Sequence, residues 1–547
     1  MTFYASLIVA MLFTLVLIPP LMRYAFLIGA VDKPDPRKVH VKVVPRIGGL
    51  AIIVGALVPL VIWLPYDKQY VSIACATLVL VAFGIWDDRK DISYRYKFLG
   101  QIIASALVVW GGDIYIMYAP FMDGQPLPPV LSYVLTILCL LAITNALNLA
   151  DGLDGLAAGT TLLSFGLIAI LSYKSGAGGI LIITMSVVGG VIGFLRFNSH
   201  PATIFMGDTG SQFLGFILGV ELIMLTQSAD LALSKSIPLL ILGLPLVDTI
   251  TVMSRRIARG VSPFSPDKNH IHHRLLALKL SHYETVVVLY FIQSVFVISA
   301  FFSCYSQDWL PTSLFFIYAM LLTLVLSLLE SEKLSFQFVN GFRHWGKRQL
   351  VSGRRVLRSL NLEKYLPLYI LCLIPGLIVF AGAGDLHVAV DVAILAVVLA
   401  ILLIFGIMRA HPNEWLDRVG SYTFCALLCY LGYKNSSHEG VLYLVEWLLI
   451  VVAGLWVFCT ISLERRGKRF ETSPLDILLI LLALLIPLFA ESTSAVDHLP
   501  LDVFKFVVLL YLFEYIINSG IYYRFRLVPY SLTAGALFIA GRGLLIA

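Results

Sequence analysis

Long apolar runs separated by short polar loops fill the chain, and their length decides the class of fold. Runs long enough to cross a bilayer lie near residues 4–27, 47–65, 70–86, 95–112, 129–147, 155–173, 178–197, 210–227, 236–257, 284–304 and 312–330. Further runs lie near 366–383, 388–408, 419–433, 441–462, 475–490, 502–519 and 528–545. A hydrocarbon core takes about 20 helical residues to cross. The pattern therefore predicts an all-α, polytopic integral membrane protein of roughly 18 transmembrane helices. The run after Met1 lacks a basic start and a small-residue cleavage site, so it reads as a first span and not as a signal peptide.

Lysine and arginine orient these spans. The first loop holds Lys33, Arg37, Lys38, Lys42 and Arg46, which predicts a cytoplasmic loop and an N-terminus outside. Counting alternately, the basic groups Arg89 to Arg95, Arg255 to Lys279 and Lys333 to Lys364 all fall on the cytoplasmic side. The opposite loops, such as 113–128 and 306–311, are nearly free of them. A multi-pass protein of the inner (plasma) membrane is expected. The stretch 331–365 interrupts the pattern, giving a membrane domain over 1–330, a basic cytoplasmic linker, and a second membrane domain of about seven helices over 366–547. In the linker Arg343, Lys347, Arg354 and Arg358 alternate with Phe342, Trp345, Leu350 and Leu357. That suits either an amphipathic helix on anionic lipid or a topological retention signal.

Composition sharpens this picture. The 547 residues are 59% hydrophobic and 13% charged, with a mean hydropathy of +0.90. A soluble chain carries roughly 25% charged residues, so a string of soluble domains is excluded. The net charge of +6 is modest, and little supports nucleic acid as a partner. The seven cysteines sit in or beside apolar runs without ligand-like spacing and read as small core residues.

The polar sequences that interrupt the spans all fall on the predicted cytoplasmic side. Asp87-Asp88 closes the third span and Lys97 opens the fourth; Asn148, Asp151 and Asp154 follow the fifth. Asn198 to Pro201 and Phe205-Met206-Gly207-Asp208-Thr209-Gly210-Ser211 follow the seventh, and the ninth leads to Asp248, Arg255, Arg256 and the string His270-Ile271-His272-His273. One such acidic pair is ordinarily a solvated helix end. Several gathered at one depth would repel and protonate one another without a cation. A hard divalent ion, Mg²⁺ with Mn²⁺ as the alternative, is the economical solution. Acids, a hard cation and arginines suit phosphoryl chemistry. Gly152, Gly155, Gly207 and Gly210 are expected to let backbone N–H groups approach phosphate oxygens, and the helix after Gly210-Ser211 to favour an anion at its N-terminus. No G-x-x-x-x-G-K-[ST] string is present. The histidines read as a polar loop that contacts phosphate or sugar, with zinc ligation or plain surface exposure as alternatives. Asp248 lies seven and eight positions before Arg255 and Arg256, nearly on one helical face, and is expected to hold them toward the site. Asn148, Asp151 and Asp154 step around a helix by about 100° per residue and would not converge on one ion. They read as a cradle running from diphosphate to base. Glu221, Glu446 and Glu514 read as packing partners inside the spans.

Together these strings resemble the polyprenyl-phosphate N-acetylhexosamine-1-phosphate transferases, in an order and spacing like the WecA branch of the family that also contains MraY. The match runs through roughly residues 1–330. Ile271 interrupts the three consecutive histidines usual in the MraY branch, which turns the expectation from a phospho-MurNAc-pentapeptide donor to an N-acetylhexosamine donor. The resemblance implies Asp208 as the principal metal ligand with Asn148 beside it, and Asp87 and Asp88 as carboxylates that activate a lipid phosphate. It implies Phe205 as the ring stacked on uracil, Asn198 and Asp154 as its hydrogen-bond partners, and Asp151 as a nucleotide or ribose contact. Arg256, His270, His272 and His273 would meet diphosphate and sugar. Lys97, Lys38 and Arg46 would meet lipid phosphate or diphosphate. The reaction implied is attack by polyprenyl phosphate in the bilayer on a UDP-sugar, UDP-N-acetylglucosamine or a derivative of it, releasing UMP at the first membrane step of a cell-surface glycan. Its partners are then the UDP-sugar, the polyprenyl phosphate and membrane lipids, with a homodimer left open. A transporter or flippase of lipid-linked sugars is the competing class, and a fusion of the enzyme to an unrelated C-terminal module is compatible with the first reading. A phosphate monoester has a second pKa near 6, so Asp87 need not remove a proton for the attack to proceed.

Overall fold

The computed structural model describes residues 2–32, 43–90, 92–122, 124–227, 233–262 and 269–330, with scattered residues between 396 and 541. The chain divides into two compact units, Met1–Val339 and Asn340–Ala547. The expected linker and most of the expected C-terminal spans lie outside the described residues.

Each of the first eleven apolar runs meets helix. In chain order these are α1 (Thr2–Ile28), α2 (Gly48–Trp63), α3 (Lys68–Lys90), α4 (Tyr94–Ala106, continued by a π-helical turn Leu107–Gly111), α5 (Pro129–Ala150), α6 (Leu156–Lys174), α7 (Gly178–Asn198) and α8 (Gly207–Gln227). After them come α9 (Ile237–Ile241), α10 (Gly243–Ala258), a short α11 (Ile271–Ala277), α12 (His282–Ser303) and α13 (Trp309–Leu329). A two-residue antiparallel ladder, β1 (Val31–Asp32) with β2 (Val44–Pro45), brackets the first loop. Among the described residues, eight helices are long and apolar enough to span a membrane. The protein is a mostly helical, multi-pass membrane protein; the count of roughly 18 is not reached by the described residues.

Burial grades from centre to rim. Between 83% and 94% of the spanning windows of α6, α7 and α8 is buried, against 11% for α13. A helix apolar all round belongs inside when its neighbours are close and in lipid when they are not. Close approach at the centre depends on missing side chains. A Cβ on Gly49 of α2 would lie 2.2 Å from the Cα of Gly210 on α8.

The ninth run departs from a single span. It breaks at Leu242 between α9 and α10, freeing backbone groups that an apolar surrounding cannot satisfy. Gln293 of α12 fills the gap: its Nε2 donates to Ile241 O at 2.9 Å and its Oε1 accepts from Leu244 N at 3.0 Å. Ser164 of α6 also donates to Ile241 O at 2.8 Å. The break starts α10 at a fixed place, and α10 carries Asp248 and Arg256.

Candidate active site

Asp208, the second residue of α8, is the hub. Asn148 Nδ2 donates to its Oδ1 at 2.6 Å and to Ser211 Oγ at 2.8 Å. Lys97 Nζ lies 3.2 Å from its Oδ2 and 2.5 Å from Asp87 Oδ2, bridging the two acids. Arg46 Nη2 stands 3.6 Å from the same Oδ2. The ends of α3, α4, α5 and α8 thus meet at one end of the bundle, as expected of loops sharing one membrane face.

Asp88 does something different from Asp87. Neighbours on a helix point about 100° apart, so Asp87 faces Lys97 while Asp88 turns into α8. Its Oδ1 accepts from Asp208 N at 2.7 Å; its Oδ2 accepts from Thr209 N at 3.1 Å and Thr209 Oγ1 at 2.5 Å. It is 5% exposed. Asp88 caps α8 from another helix, each carboxylate oxygen accepting from protein donors, a role that the sequence does not announce. The same cap corrects the expectation of free N–H groups for phosphate at the start of α8. Gly207 serves this joint. Its φ is +73°, and a Cβ would lie 2.7 Å from the Asp88 oxygens.

Beneath the hub runs a layer of amides that the sequence reading missed. Gln101 Nε2 donates to Gln212 Oε1 at 3.1 Å, and Asn145 Nδ2 donates to Gln101 Oε1 at 2.7 Å. Gln101 and Gln212 are 1% and 3% exposed. A signal was present: each lies four positions after Lys97 or Asp208 inside an apolar run, on the same helical face.

After α5 the chain turns through Asp151 to Gly155. The Asp151 side chain hydrogen-bonds to no described residue; burial, and then the nearby Asp208 charge, push its carboxyl up to about 7. Asp154 Oδ2 accepts from His200 Nδ1 at 2.7 Å and from Ala202 N at 3.1 Å. Burial opposes the charge, yet these hydrogen bonds hold the Asp154 carboxyl below the usual range. His200 stacks on His282, centroids 4.1 Å apart and planes 19° apart. Asp154, His200 and His282 offer three metal-type donors within 4.8 Å of one another. Nearly parallel rings send their in-plane lone pairs side by side instead of toward one point, so the cluster reads as a ring stack hydrogen-bonded to a carboxylate.

Asn198 is spent on the backbone. Its Oδ1 accepts from Gly155 N at 2.9 Å and its Nδ2 donates to Ile204 O at 2.9 Å, at 4% exposure. It staples the Gly155 turn to the loop before α8. Phe205, half-buried, is fixed through its backbone: its N–H donates to Pro45 O at 2.7 Å and its carbonyl accepts from Gly48 N at 2.9 Å.

The histidine string is not the polar loop expected. His270 is the N-cap residue of α11 and His272 lies in its first turn; they are 6% and 4% exposed. His270 Nδ1 lies 2.8 Å from Asp248 Oδ2, and Ile271 N donates to Asp248 Oδ1 at 2.8 Å. Asp248 therefore holds the histidines, where the sequence suggested it would hold the arginines. His272 packs on Gly152, and burial, then His273, push its imidazole down to about 3. It is neutral, and zinc finds no converging donors here among the described residues. Arg256 is 5% exposed in the last turn of α10. Lys38 lies outside the described residues.

The hub fits a hard cation. Lys97 places an ammonium between Asp87 and Asp208 where an ion would otherwise be needed. Rotating the Asn148 amide would turn its oxygen toward Asp208, an orientation stable only with a cation between them.

Comparison with known proteins agrees in order and extent. Residues 70–226 match the family described as glycosyl transferase family 4. The chain is 40% identical over 318 residues, 58% of its length and 88% of the relative's, to a probable undecaprenyl-phosphate N-acetylglucosaminyl 1-phosphate transferase of Bacillus subtilis. It is 32% identical over 299 residues to an undecaprenyl-phosphate alpha-N-acetylglucosaminyl 1-phosphate transferase of Yersinia pestis, covering 53% of the chain and 81% of the relative. It is 36% identical over 293 residues to a decaprenyl-phosphate N-acetylglucosaminephosphotransferase of Mycolicibacterium smegmatis, covering 48% and 72%.

Proposed function

The chain belongs to glycosyl transferase family 4, and from that premise we propose that it transfers N-acetylglucosamine-1-phosphate from UDP-N-acetylglucosamine to a polyprenyl phosphate. An oxygen of the lipid phosphate attacks the sugar-bearing phosphorus, the bond to the uridylyl phosphate breaks, and UMP leaves with the electron pair. The product is a polyprenyl diphosphate sugar. The observation that carries this reading is the Asp87–Lys97–Asp208–Asn148 cluster at one end of a bundle whose rim helices face lipid.

Asp208 and the amide oxygen of Asn148, with Asp87 beside them, are the hard donors that would hold Mg²⁺ (Mn²⁺ being the alternative), which when bound supplies positive charge to the diphosphate oxygens. Lys97 and Arg46 are the fixed cations beside them, suited to orient the incoming lipid phosphate. Asp88 and Asn198 hold the frame. Asp151, Asp154 and Phe205 are left to meet the nucleotide, and Arg256 with the histidines the diphosphate and sugar. The basic first loop supports a cytoplasmic site, an N-terminus outside and residence in the plasma membrane.

A transporter would set ionisable groups at a broken helix. The break at Leu242 is lined instead by the uncharged Gln293 and Ser164. Membranes containing the protein, given radiolabelled UDP-N-acetylglucosamine, should move label into organic-extractable lipid and release one UMP per label. Label entering lipid without UMP would overturn the reaction.

A further inference from the structure

Asp248 and His270 form a buried pair outside the cluster that holds the hub. Their side chains are 8% and 7% exposed, and they lie 2.8 Å apart between α10 and the head of α11. Both carboxylate oxygens are used, one by the ring and one by the Ile271 N–H. A carboxylate has no proton to give, so the ring must carry its proton on Nδ1. In the neutral ring that leaves the Nε2 lone pair as an acceptor. Nε2 has no hydrogen-bond partner among the described residues. The ring lies 5.7 Å from His272, stacked at 12°, and His272 touches Gly152 of the loop after α5. His270 is therefore one ring away from the expected nucleotide cradle.

We infer that Asp248 is a positioning residue acting through His270: it fixes the proton on Nδ1 and so makes Nε2 an acceptor for a hydroxyl or amide N–H of the donor's sugar. This rests on the transferase reading above. It makes Asp248 a determinant of how the donor's sugar is held, through the proton position on the His270 ring. A clamp of this kind determines the tautomer as well as the ring angle, the same reason a buried carboxylate behind a catalytic histidine matters in hydrolases.

Asp248→Asn separates these roles. The amide oxygen can still accept from Ile271, while its NH₂ turned to the ring forces the proton onto Nε2. In the full-length protein the KM for UDP-N-acetylglucosamine should rise about tenfold or more, because Nε2 then carries a proton and can no longer accept from the sugar. The KM for polyprenyl phosphate should stay within about twofold. A purely structural Asp248 would lower kcat through a smaller active fraction and leave both KM values alone; that result overturns the inference. A second measurement needs no variant of Asp248. In ¹⁵N-histidine-labelled wild-type protein, with the His270 signal identified by its loss in His270→Gln, the ring proton should sit on Nδ1. Finding it on Nε2 overturns the inference even if transfer proceeds. Absence of UMP release from wild type would instead defeat the transferase reading and leave the tautomer result standing.

Discussion

Gly152 and His272 share one space. A Cβ added at residue 152 would stand 2.3 Å from His272 Nε2 and 2.4 Å from Cε1. The sequence suggested that this glycine opens the backbone to phosphate, but it makes room for a protein ring. Gly152→Ala must displace a ring that is 4% exposed, and overpacking of this kind costs about 1–3 kcal/mol. Thermal unfolding in detergent should show the loss. Gly152→Ala combined with His272→Ala should recover part of it, since the clash is then gone; equal losses in the single and double variants would refute the contact.

Asp88 caps α8 with three hydrogen bonds. Asp88→Asn keeps one acceptor and turns an NH₂ toward N–H donors, leaving buried groups unsatisfied at about 1–3 kcal/mol each. The variant should unfold at lower temperature and transfer more slowly, because Asp208 follows directly on the cap. Wild-type stability in Asp88→Asn would remove the cap from the account of the site.

Lys97 holds Asp87 and Asp208 together in the absence of an ion. Lys97→Ala leaves the acids facing each other, so its melting temperature should fall in EDTA and recover with Mg²⁺ by more than the wild type's does. Equal responses to Mg²⁺ would mean that ammonium and ion do not compete for one place.

Asp151 makes stability depend on pH. Its carboxyl is raised to about 7 in the fold, by burial and then by Asp208, against about 4 in an unfolded chain. Between these values the folded state binds a proton that the unfolded state lacks. The contribution is thus fully present below about pH 4 and is lost as pH rises through about 7. The melting temperature should decline over that window, less so in Asp151→Asn and less so with Mg²⁺ at the neighbouring acids. An identical slope in Asp151→Asn would rule this source out.

The first compact unit ends at Val339, and the family match at residues 70–226 lies wholly within it. A chain ended after Val339 should keep transfer in membranes. Loss of transfer in a chain that still inserts and accumulates would tie the second unit to the chemistry.

That the first eleven apolar runs form helix was legible because about 20 apolar residues between basic loops leave a chain few alternatives in a bilayer; the break in the ninth was not. The gathering at one face was legible for the same reason. What each side chain touches was not. Asp87 and Asp88 look alike as letters and diverge only once α8 lies on one side of α3 and Lys97 on the other. Asn198 has the right chemistry for a base, and nothing in its letter tells that its amide also ties Gly155 to Ile204. Asp248 looked like a partner for arginines on its own helix. Its partner came from 22 residues further on, across a loop whose path no periodicity encodes. Gln101 and Gln212 carry no charge to mark them, although a buried amide in an apolar run carries much the same message as a charge.

The joint between Asp88 and α8 reaches beyond the cap itself. α3 and α8 run through the bilayer side by side, and apolar flanks alone would let one slide along the other as lipid thickness changes. Three hydrogen bonds at one end remove that freedom. The latch sets the register of α3 on α8, so that Asp87, next to Asp88 on α3, and Asp208 on α8 keep one spacing however the surrounding bilayer stretches them.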